Sequence, residues 1–170
     1  NAFLSAEDKN FFNHPGLDFL GIVRAFIANI GHLARNDRLE GASTITQQVA
    51  KNFLLTNEVS VERKIKEAIL AFRIEKALSK ERILELYLNK IYLGYGSYGV
   101  AAAALNYFDK SLYELSLSEL AFIAGLPKAP NNYHPIKNHK LAFDRRNWVL
   151  GRLFTDGRIS SMDLAEAIKQ

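Results

Sequence analysis

Cysteine is absent from this chain of 170 residues. Its absence excludes a disulfide framework, a thiolate metal site and a cysteine nucleophile. Long apolar runs are also missing, since no stretch reaches the roughly 18 residues that a membrane-spanning helix needs. The start at Asn1 shows no signal peptide, so the chain is expected to be a soluble domain excised from a longer protein.

Acidic residues are slightly fewer than basic ones. Lysine and arginine total 22 and aspartate and glutamate total 18, which gives a net charge of +4 and a pI near 9.3. Such an excess favours nucleic acid, an anionic membrane surface or a phosphate-bearing substrate as partner. No basic stripe with interleaved aromatic residues appears, so we expect no nucleic-acid partner.

Helical patterning runs through almost the whole chain, and no stretch is rich in strand-forming residues. Residues 61–78 carry apolar side chains at helical spacing. Hydrophobic content of 48% without an internal repeat predicts one mainly α domain over residues 1–170. Two serines, each followed three positions later by an acidic residue, predict capping boxes at helix starts: Ser116 with Glu119 and Ser160 with Asp163.

The segment 17–38 has an unusual composition. Its charged residues are mainly basic, and its apolar side chains cover most of a helix circumference instead of one stripe. A buried core helix and a segment that lies on a membrane surface both fit this pattern. The apolar members are Phe19, Leu20, Ile22, Val23, Phe26, Ile27, Ile30 and Leu33.

Glu7 lies in a stretch with apolar neighbours. If the stretch is helical, Phe3, Leu4 and Phe11 share the face of Glu7. An apolar surrounding raises the pKa of a carboxyl group, because burial disfavours the charged form. The alternative is a solvated glutamate on a helix surface without a catalytic role.

Glu67 lies in the opposite kind of neighbourhood. Arg63 and Lys64 precede it by four and three positions, so on a helix both cations flank it. Close opposite charges favour the ionised carboxylate, although such spacing often just supports a helix. Two carboxyl groups whose environments differ in this way are typical of acid–base chemistry at a sugar or a similar centre.

The stretch 41–48 is dense in hydrogen-bonding side chains. Thr44 and Gln47 have the spacing of a capping box, which offers a purely structural explanation for both. A capping box does not explain why Ser43, Thr46 and Gln48 stand together with them.

Five motifs occur in order over nearly the whole chain. They are Glu-Asp-x-x-Phe-x-x-His-x-Gly at 7–16, Gly-x-Ser-Thr-Ile-Thr-Gln-Gln at 41–48, Arg-Lys-x-x-Glu at 63–67, the stretch 83–94, and Arg-Arg-x-x-Val-Leu at 145–150. In these motifs the chain resembles the peptidoglycan glycosyltransferase domain (family 51) of class A penicillin-binding proteins. One departure is Asp109, where that family more often has glycine, and we expect a turn there.

The resemblance implies a mainly α, lysozyme-like fold with a large and a small lobe around a cleft. It implies that the 4-hydroxyl of lipid II attacks C1 of the growing chain with inversion, so that undecaprenyl diphosphate leaves and a β-1,4 glycan forms in bacterial cell wall synthesis. The parent protein is expected to carry a membrane anchor and usually a transpeptidase domain, on the outer face of the cytoplasmic membrane. Residues 17–38 then correspond to a hydrophobic part that touches the bilayer.

The resemblance also assigns roles to single residues. Glu7 is expected to be the general base, and Glu67 to orient a cation or the donor sugar. Judged apart from the resemblance, Arg145 and Arg146 favour a structural brace under the cleft, with contact of one of them to the substrate as the alternative. The substrate-binding candidates are Lys51, Arg63 and Lys64 for the diphosphate, and Asp8, His14, Ser43, Thr44, Gln47 and Gln48 elsewhere on the substrate. Taken alone, Lys51 fits a solvated lysine and His14 a turn-stabilising histidine.

No obligatory cofactor and no metal site are expected. Members of the family often use a divalent cation such as Mg²⁺ near the diphosphate, and such ions bind through few carboxylates plus substrate phosphates. Asp8 beside His14 permits a metal interpretation, but no ligand cluster demands one. Moenomycin is the expected inhibitor.

Two other classes of function fit part of the sequence. A lysozyme-like hydrolase or lytic transglycosylase would also use a helix-borne glutamate, but its substrate has no diphosphate and gives no reason for cations around Glu67. A non-enzymatic basic binding module would explain the pI but not the neighbourhood of Glu7.

Overall fold

The structure is a computed structural model, and it describes residues 1–24, 27, 43–54 and 60–170. Within these ranges the regular elements are helices, and the extended pairing is one antiparallel bridge between Tyr92 and Tyr98. The predicted mainly α fold is confirmed. The eight helices with defined bounds are α1 (Ala2–Glu7), α2 (Ile45–Leu54), α3 (Val61–Ala77), α4 (Lys80–Lys90), α5 (Val100–Phe108), α6 (Leu117–Gly125), α7 (His139–Thr155) and α8 (Ser161–Lys169).

The helices divide into two compact units. One unit contains Asn1–Lys9 together with Leu86–Gln170, and the other contains Asn10–Glu85. A single domain over residues 1–170 stays a prediction. None of the helices in the described part of the chain is both long and apolar enough to cross a membrane.

The core of the unit that holds both chain ends lies between α6 and α7. Ala121 and Ala124 of α6 are fully buried against Val149 and Leu150 of α7. Alanine side chains let two helix backbones approach closely, so the contact is dense. Ala2, Phe3 and Ala6 of α1 pack on the same cluster. The core therefore fixes α1, and Glu7 at its end, against two longer helices.

Both predicted capping boxes are present. Ser116 and Glu119 form one at the start of α6, and Ser160 and Asp163 form the other at the start of α8. Each box satisfies backbone N–H groups that a helix start leaves unpaired. The turn expected at Asp109 is confirmed as well, since this residue ends α5 in the left-handed region with φ 54°.

Arg146 is a brace inside this unit, as expected from the sequence. Its buried guanidinium donates hydrogen bonds to Ser118 Oγ at 3.0 Å and to the carbonyl oxygen of Ile168 at 3.1 Å. It therefore joins α6, α7 and α8 through one side chain. The planar guanidinium of arginine has several N–H donors, so it can bond to partners on different helices at once.

An ion cluster ties the residues after α1 to the end of α7. Lys9 Nζ lies 2.6 Å from Oδ1 of Asp156, whose side chain is 4% exposed, and Arg152 lies 3.8 Å from the same oxygen. Burial raises the pKa of Asp156, but hydrogen bonds from Lys9 and Ser5 and the charge of Arg152 outweigh this and hold the pKa below its ordinary value. The cluster anchors the segment that carries Glu7.

In the second unit α2 packs on α3, and the turn that contains Gly16 lies against α3. Gly16 has φ 100°, and a Cβ there would lie 3.1 Å from the carbonyl oxygen of Ala71. Only glycine fits both constraints without strain. Thr44 Oγ1 donates to the carbonyl oxygen of Gly16 at 2.6 Å, so this turn is bonded to the start of α2.

The helix predicted at 61–78 is confirmed as α3, but its apolar residues are not its buried face. Val61, Ile65 and Ile69 are 78%, 56% and 51% exposed, whereas Glu67 and Ala71 are buried. The face of α3 that packs against α2 carries polar candidate site residues, so the apolar stripe lies on another face of α3. Hydrophobic spacing identified the helix without identifying its buried side.

The segment 17–38 is described only in part. Residues 19–24 are helical, and Phe19, Leu20 and Val23 in them are 61%, 75% and 56% exposed. These values disagree with a buried core helix for this part. Apart from Ile27, the prediction for residues 25–38 lies outside the described residues.

Candidate active site

Glu7 lies at the last position of α1 with a side chain that is 13% exposed. Arg145 Nη2 is 3.4 Å from Glu7 Oε1. Arg145 is itself held in place, because its Nε donates to the carbonyl oxygen of Gly125 at 3.2 Å and its guanidinium lies 4.0 Å from the Trp148 ring centre. The carboxylate of Glu7 thus faces a cation that two other contacts hold in position.

The pKa values of two neighbouring groups, Tyr87 and Arg145, are shifted in part by the charge of Glu7. Burial raises the pKa of Tyr87 well above its ordinary value, and the nearby charges of Glu7 and Asp8 raise it further. Burial lowers the pKa of Arg145, against the opposing effect of Glu7. Tyr87, 1% exposed, therefore lies beside both carboxylates in a region with little water. A raised pKa for Glu7 stays a prediction.

Glu67 is buried, 2% exposed, and donors surround it. Its Oε1 accepts from Gln47 Nε2 at 3.2 Å and contacts Lys64 Nζ, while its Oε2 accepts from Arg63 Nη1 at 3.2 Å. The predicted arrangement of both cations around Glu67 is confirmed. A buried carboxylate persists where donors and opposite charges compensate it, and both oxygens here are compensated.

The start of α2 supports this group of cations. Thr44 and Gln47 form the capping box, with Thr44 N donating to Gln47 Oε1 at 3.0 Å and Gln47 N donating to Thr44 Oγ1 at 3.1 Å. The same Gln47 side chain reaches Glu67. Lys64 Nζ also donates to Ser43 Oγ at 2.8 Å. Capping and cation positioning therefore share one network, while sugar contact by this stretch stays a prediction.

We call this hydrogen-bonded network the cation group. It brings together six of the eleven site residues predicted from the sequence: Ser43, Thr44, Gln47, Arg63, Lys64 and Glu67.

Four further candidates lie outside the cation group. Asp8 is buried next to Glu7. His14 is also buried, and its Nδ1 accepts from Gly16 N at 3.1 Å, which is the turn-stabilising contact weighed above. Lys51 is exposed in the last turn of α2, and Gln48 is partly exposed one turn before it.

Residues 1–154 match the model of the transglycosylase family. This chain belongs to the transglycosylase family. The resemblance inferred from the five motifs is thereby confirmed, as is the predicted enzyme class, a peptidoglycan glycosyltransferase.

Several relatives of this transglycosylase are named penicillin-binding protein 1A. The protein from Rickettsia typhi is 59% identical over 98% of this chain, and those from Haemophilus influenzae and Aquifex aeolicus are each 52% identical over 100% of it. The chain spans only 21%, 20% and 23% of these three relatives. The crystal structure of penicillin-binding protein 1A from Haemophilus influenzae is similar over 74% of this chain and 16% of that chain, with TM-score 0.53 and 43% identity.

Sequence reasoning missed the contact between Arg145 and Glu7 in this transglycosylase. The two residues are 138 positions apart, and no local spacing links them. The available signal is the Arg-Arg pair itself, for which the sequence predicts a brace. Arg146 fits that interpretation, but Arg145 faces the candidate base.

A protein-only metal site is not formed by the part of the transglycosylase that the structure describes. No three histidine, aspartate or glutamate side chains come together there. The carboxylate of Glu67 is engaged by two cations, which is the wrong surrounding for a further cation. A divalent cation such as Mg²⁺ near the diphosphate stays a prediction, because such an ion can bind through few carboxylates plus substrate phosphates.

Proposed function

We propose that this chain polymerises lipid II into β-1,4-linked glycan strands with inversion, releasing undecaprenyl diphosphate on the outer face of the cytoplasmic membrane. The observation that carries the proposal is the cation group, in which a buried carboxylate holds Arg63 and Lys64. A diphosphate leaving group needs such fixed cations more than it needs a proton. A hydrolase acting on a finished glycan has no comparable anion to bind.

Glu7 is the general base in this proposal. A sugar hydroxyl is a poor nucleophile until a group within hydrogen-bond reach accepts its proton. As the 4-hydroxyl oxygen of the acceptor forms its bond to C1 of the donor, Glu7 takes the hydroxyl proton. Arg145 holds the carboxylate in one orientation and favours its ionised form.

The cation group serves the leaving side of the reaction. The bond between C1 and the diphosphate oxygen breaks, and its electron pair leaves with the diphosphate. Arg63 and Lys64 stabilise the charge that develops there, joined by the exposed Lys51. Glu67 acts as a positioning residue, because both of its oxygens already accept from donors.

The remaining candidates either contact sugar and amide groups or hold the site in place. Ser43 and Gln48 are partly exposed and suit hydroxyl and acetamido groups. Thr44 and Gln47 act indirectly, by fixing the start of α2. Asp8 and His14 are proposed to order the turn that follows Glu7.

Incubating the chain with lipid II and, separately, with polymeric peptidoglycan tests the proposal. We expect glycan strands and diphosphate release from lipid II, inhibition by moenomycin, and no release of fragments from the polymer. Degradation of the polymer without polymerisation of lipid II would mean that the chain is a hydrolase or lytic enzyme instead.

Lys64→Ala is expected to weaken binding of a diphosphate-bearing ligand about tenfold while binding of a neutral glycan fragment stays unchanged. The reason is the loss of one charge-assisted contact, which contributes about 1.5 kcal/mol. Isothermal titration with each ligand measures both constants. Lys66→Ala is the matched control, because Lys66 lies on the same helix and pairs with the exposed Glu62 at 2.6 Å. Equal weakening for both ligands, or in both variants, would contradict the assignment.

Membrane contact through residues 17–38 is a further part of the proposal. Its support is the exposed apolar side chains of Phe19, Leu20 and Val23, since a contiguous exposed apolar surface marks an interaction site. The lipid-linked substrate places the reaction near a bilayer.

Replacing both Phe19 and Val23 with serine is expected to reduce binding to anionic liposomes and lipid II turnover together, with little change in melting temperature. Flotation at rising salt measures the binding, which should also fall with salt because basic residues contribute. Ile136→Ser removes an apolar side chain that is 85% exposed in the other unit and serves as control. A large fall in melting temperature with unchanged flotation would indicate a packing role.

A further inference from the structure

A cluster of aromatic side chains lies on the connection between α4 and α5, in the unit that also holds Glu7. The ring centres of Tyr92 and Tyr98 are 5.0 Å apart, and those of Tyr95 and His134 are 5.8 Å apart. Tyr95 and Tyr98 are 65% and 66% exposed. We call these four residues the tyrosine patch. Nothing in the mechanism above uses it.

The backbone under the patch is strained. Tyr95 has φ 50° between Gly94 at 81° and Gly96 at 69°, so three consecutive residues occupy the left-handed region. Glycine adopts this conformation freely, but tyrosine rarely does. Strain of this kind persists where the surroundings enforce it, and it concentrates at functional positions.

The surroundings of Tyr95 do enforce its conformation. Ser97 N donates to the carbonyl oxygen of Gly94 at 2.8 Å, and Leu93 N donates to the carbonyl oxygen of Ser97 at 2.9 Å. A Cβ on Gly94 would lie 2.5 Å from the carbonyl oxygen of Pro130, so the loop 130–134 packs directly on the turn. The strained turn therefore displays one large aromatic ring toward solvent at a fixed position.

Polar groups flank the rings. Tyr92 Oη donates to Asn131 Oδ1 at 3.2 Å, and His134 Nδ1 accepts from the backbone N–H of Ile136 at 3.2 Å. Rigid aromatic faces beside amide and hydroxyl groups match a sugar ring, which has an apolar C–H face and a polar rim. They match a charged or a wholly apolar partner less well.

The loop that borders the patch also lies near Arg145, the partner of the candidate base. Tyr133, adjacent to His134 in the chain, is buried and close enough to raise the pKa of Arg145, against the larger lowering by burial. Arg145 contacts Glu7. The loop that borders the patch therefore also borders the pair proposed to deprotonate the acceptor sugar.

We propose that the tyrosine patch binds the β-1,4-linked N-acetylhexosamine strand, which rests on the proposed function of the chain. Tyr95 and Tyr98 stack on sugar rings, and the Tyr92–Asn131 pair bonds to sugar hydroxyl or acetamido groups. The patch holds the strand beyond the reacting sugars and so keeps it bound between additions. It takes no part in proton transfer or diphosphate release.

Titration with chitotetraose, the β-1,4-linked tetramer of N-acetylglucosamine, tests the patch by NMR or calorimetry. Tyr95→Asn removes the ring but keeps a residue that tolerates positive φ, and Tyr98→Ala removes the second ring. We expect each to weaken binding about three- to tenfold, because one aromatic contact contributes that much. Tyr95→Phe should bind as the unchanged chain does. Tyr113→Ala is the control, since Tyr113 is 100% exposed and outside the patch.

A second readout uses lipid II. The Tyr95→Asn and Tyr98→Ala variants should give shorter strands than the unchanged chain and the Tyr113→Ala control give. Unchanged tetramer affinity in both variants, no binding by the unchanged chain, or an equal loss in Tyr113→Ala would overturn the proposal. Failure of the unchanged chain to polymerise lipid II would instead reject the proposed function, while the titration still decides whether the patch binds glycan.

Discussion

Glu7→Gln is expected to reduce lipid II turnover by about 10²–10⁴-fold, the usual contribution of a general base. The substitution keeps the shape of the side chain and a carbonyl oxygen that can accept from Arg145. It removes the group that accepts the proton of the acceptor hydroxyl. Because the loss is chemical, binding of lipid II should stay within about threefold of the unchanged chain, and kcat should carry the effect.

Continuous polymerisation assays with the purified variant measure the loss, and thermal unfolding shows whether the fold is kept. Glu85→Gln is a suitable control, because Glu85 is exposed and pairs only with Arg82 on its own helix in the described contacts. Turnover above roughly a tenth of the unchanged value would remove Glu7 from the role of base. Arg145→Ala should also lower kcat and move the acidic limb of the pH profile upward, because the positive charge that faces the Glu7 carboxylate and favours its ionised form is lost.

Glu67→Gln has the second largest expected effect. Glu67 compensates Arg63 and Lys64 from a buried position, and glutamine would turn an amide N–H₂ toward one of them. Hydrogen bonds to charged groups contribute about 1.5–3 kcal/mol, so we expect stability to fall by about 1–3 kcal/mol. Turnover should fall at least about tenfold, because the cations lose their fixed positions.

Denaturant unfolding and titration with a diphosphate-bearing ligand separate the two effects. Glu62→Gln is the matched control on the same helix, since Glu62 is exposed and pairs with Lys66. Its stability and affinity should hardly change. If Glu67→Gln left both stability and diphosphate affinity at their original values, the cation group would have no role in either.

The site around Glu67 was predictable because its parts are close in sequence. Arg63 and Lys64 precede Glu67 by one helical turn, and a helix brings residues three and four apart together whatever the tertiary structure. The capping boxes were predictable for the same reason, as were the helices that they begin. Local geometry alone fixes these contacts.

The surroundings of Glu7 show where sequence reasoning stops. Its apolar neighbours were visible in the local pattern, but Arg145 reaches it only through the packing of α1 on α7. The exposed face of α3 is a second example. Val61 and Ile65 have the spacing of a buried stripe, yet tertiary packing buries Glu67 instead. Periodicity reports a helix, whereas the side that is covered depends on its neighbours.

The chain order of the two units has a consequence for synthesis. Asn1–Lys9 belong with Leu86–Gln170, so the first unit is built from two stretches that the second unit separates in sequence. Glu7 leaves the ribosome 138 residues before Arg145, which at about 5–20 residues per second is a wait of roughly 7–28 s. Meanwhile Asn10–Glu85 is a contiguous stretch that can collapse on itself. Until a nascent chain extends past Arg145, its candidate base therefore lacks the partner that orients it.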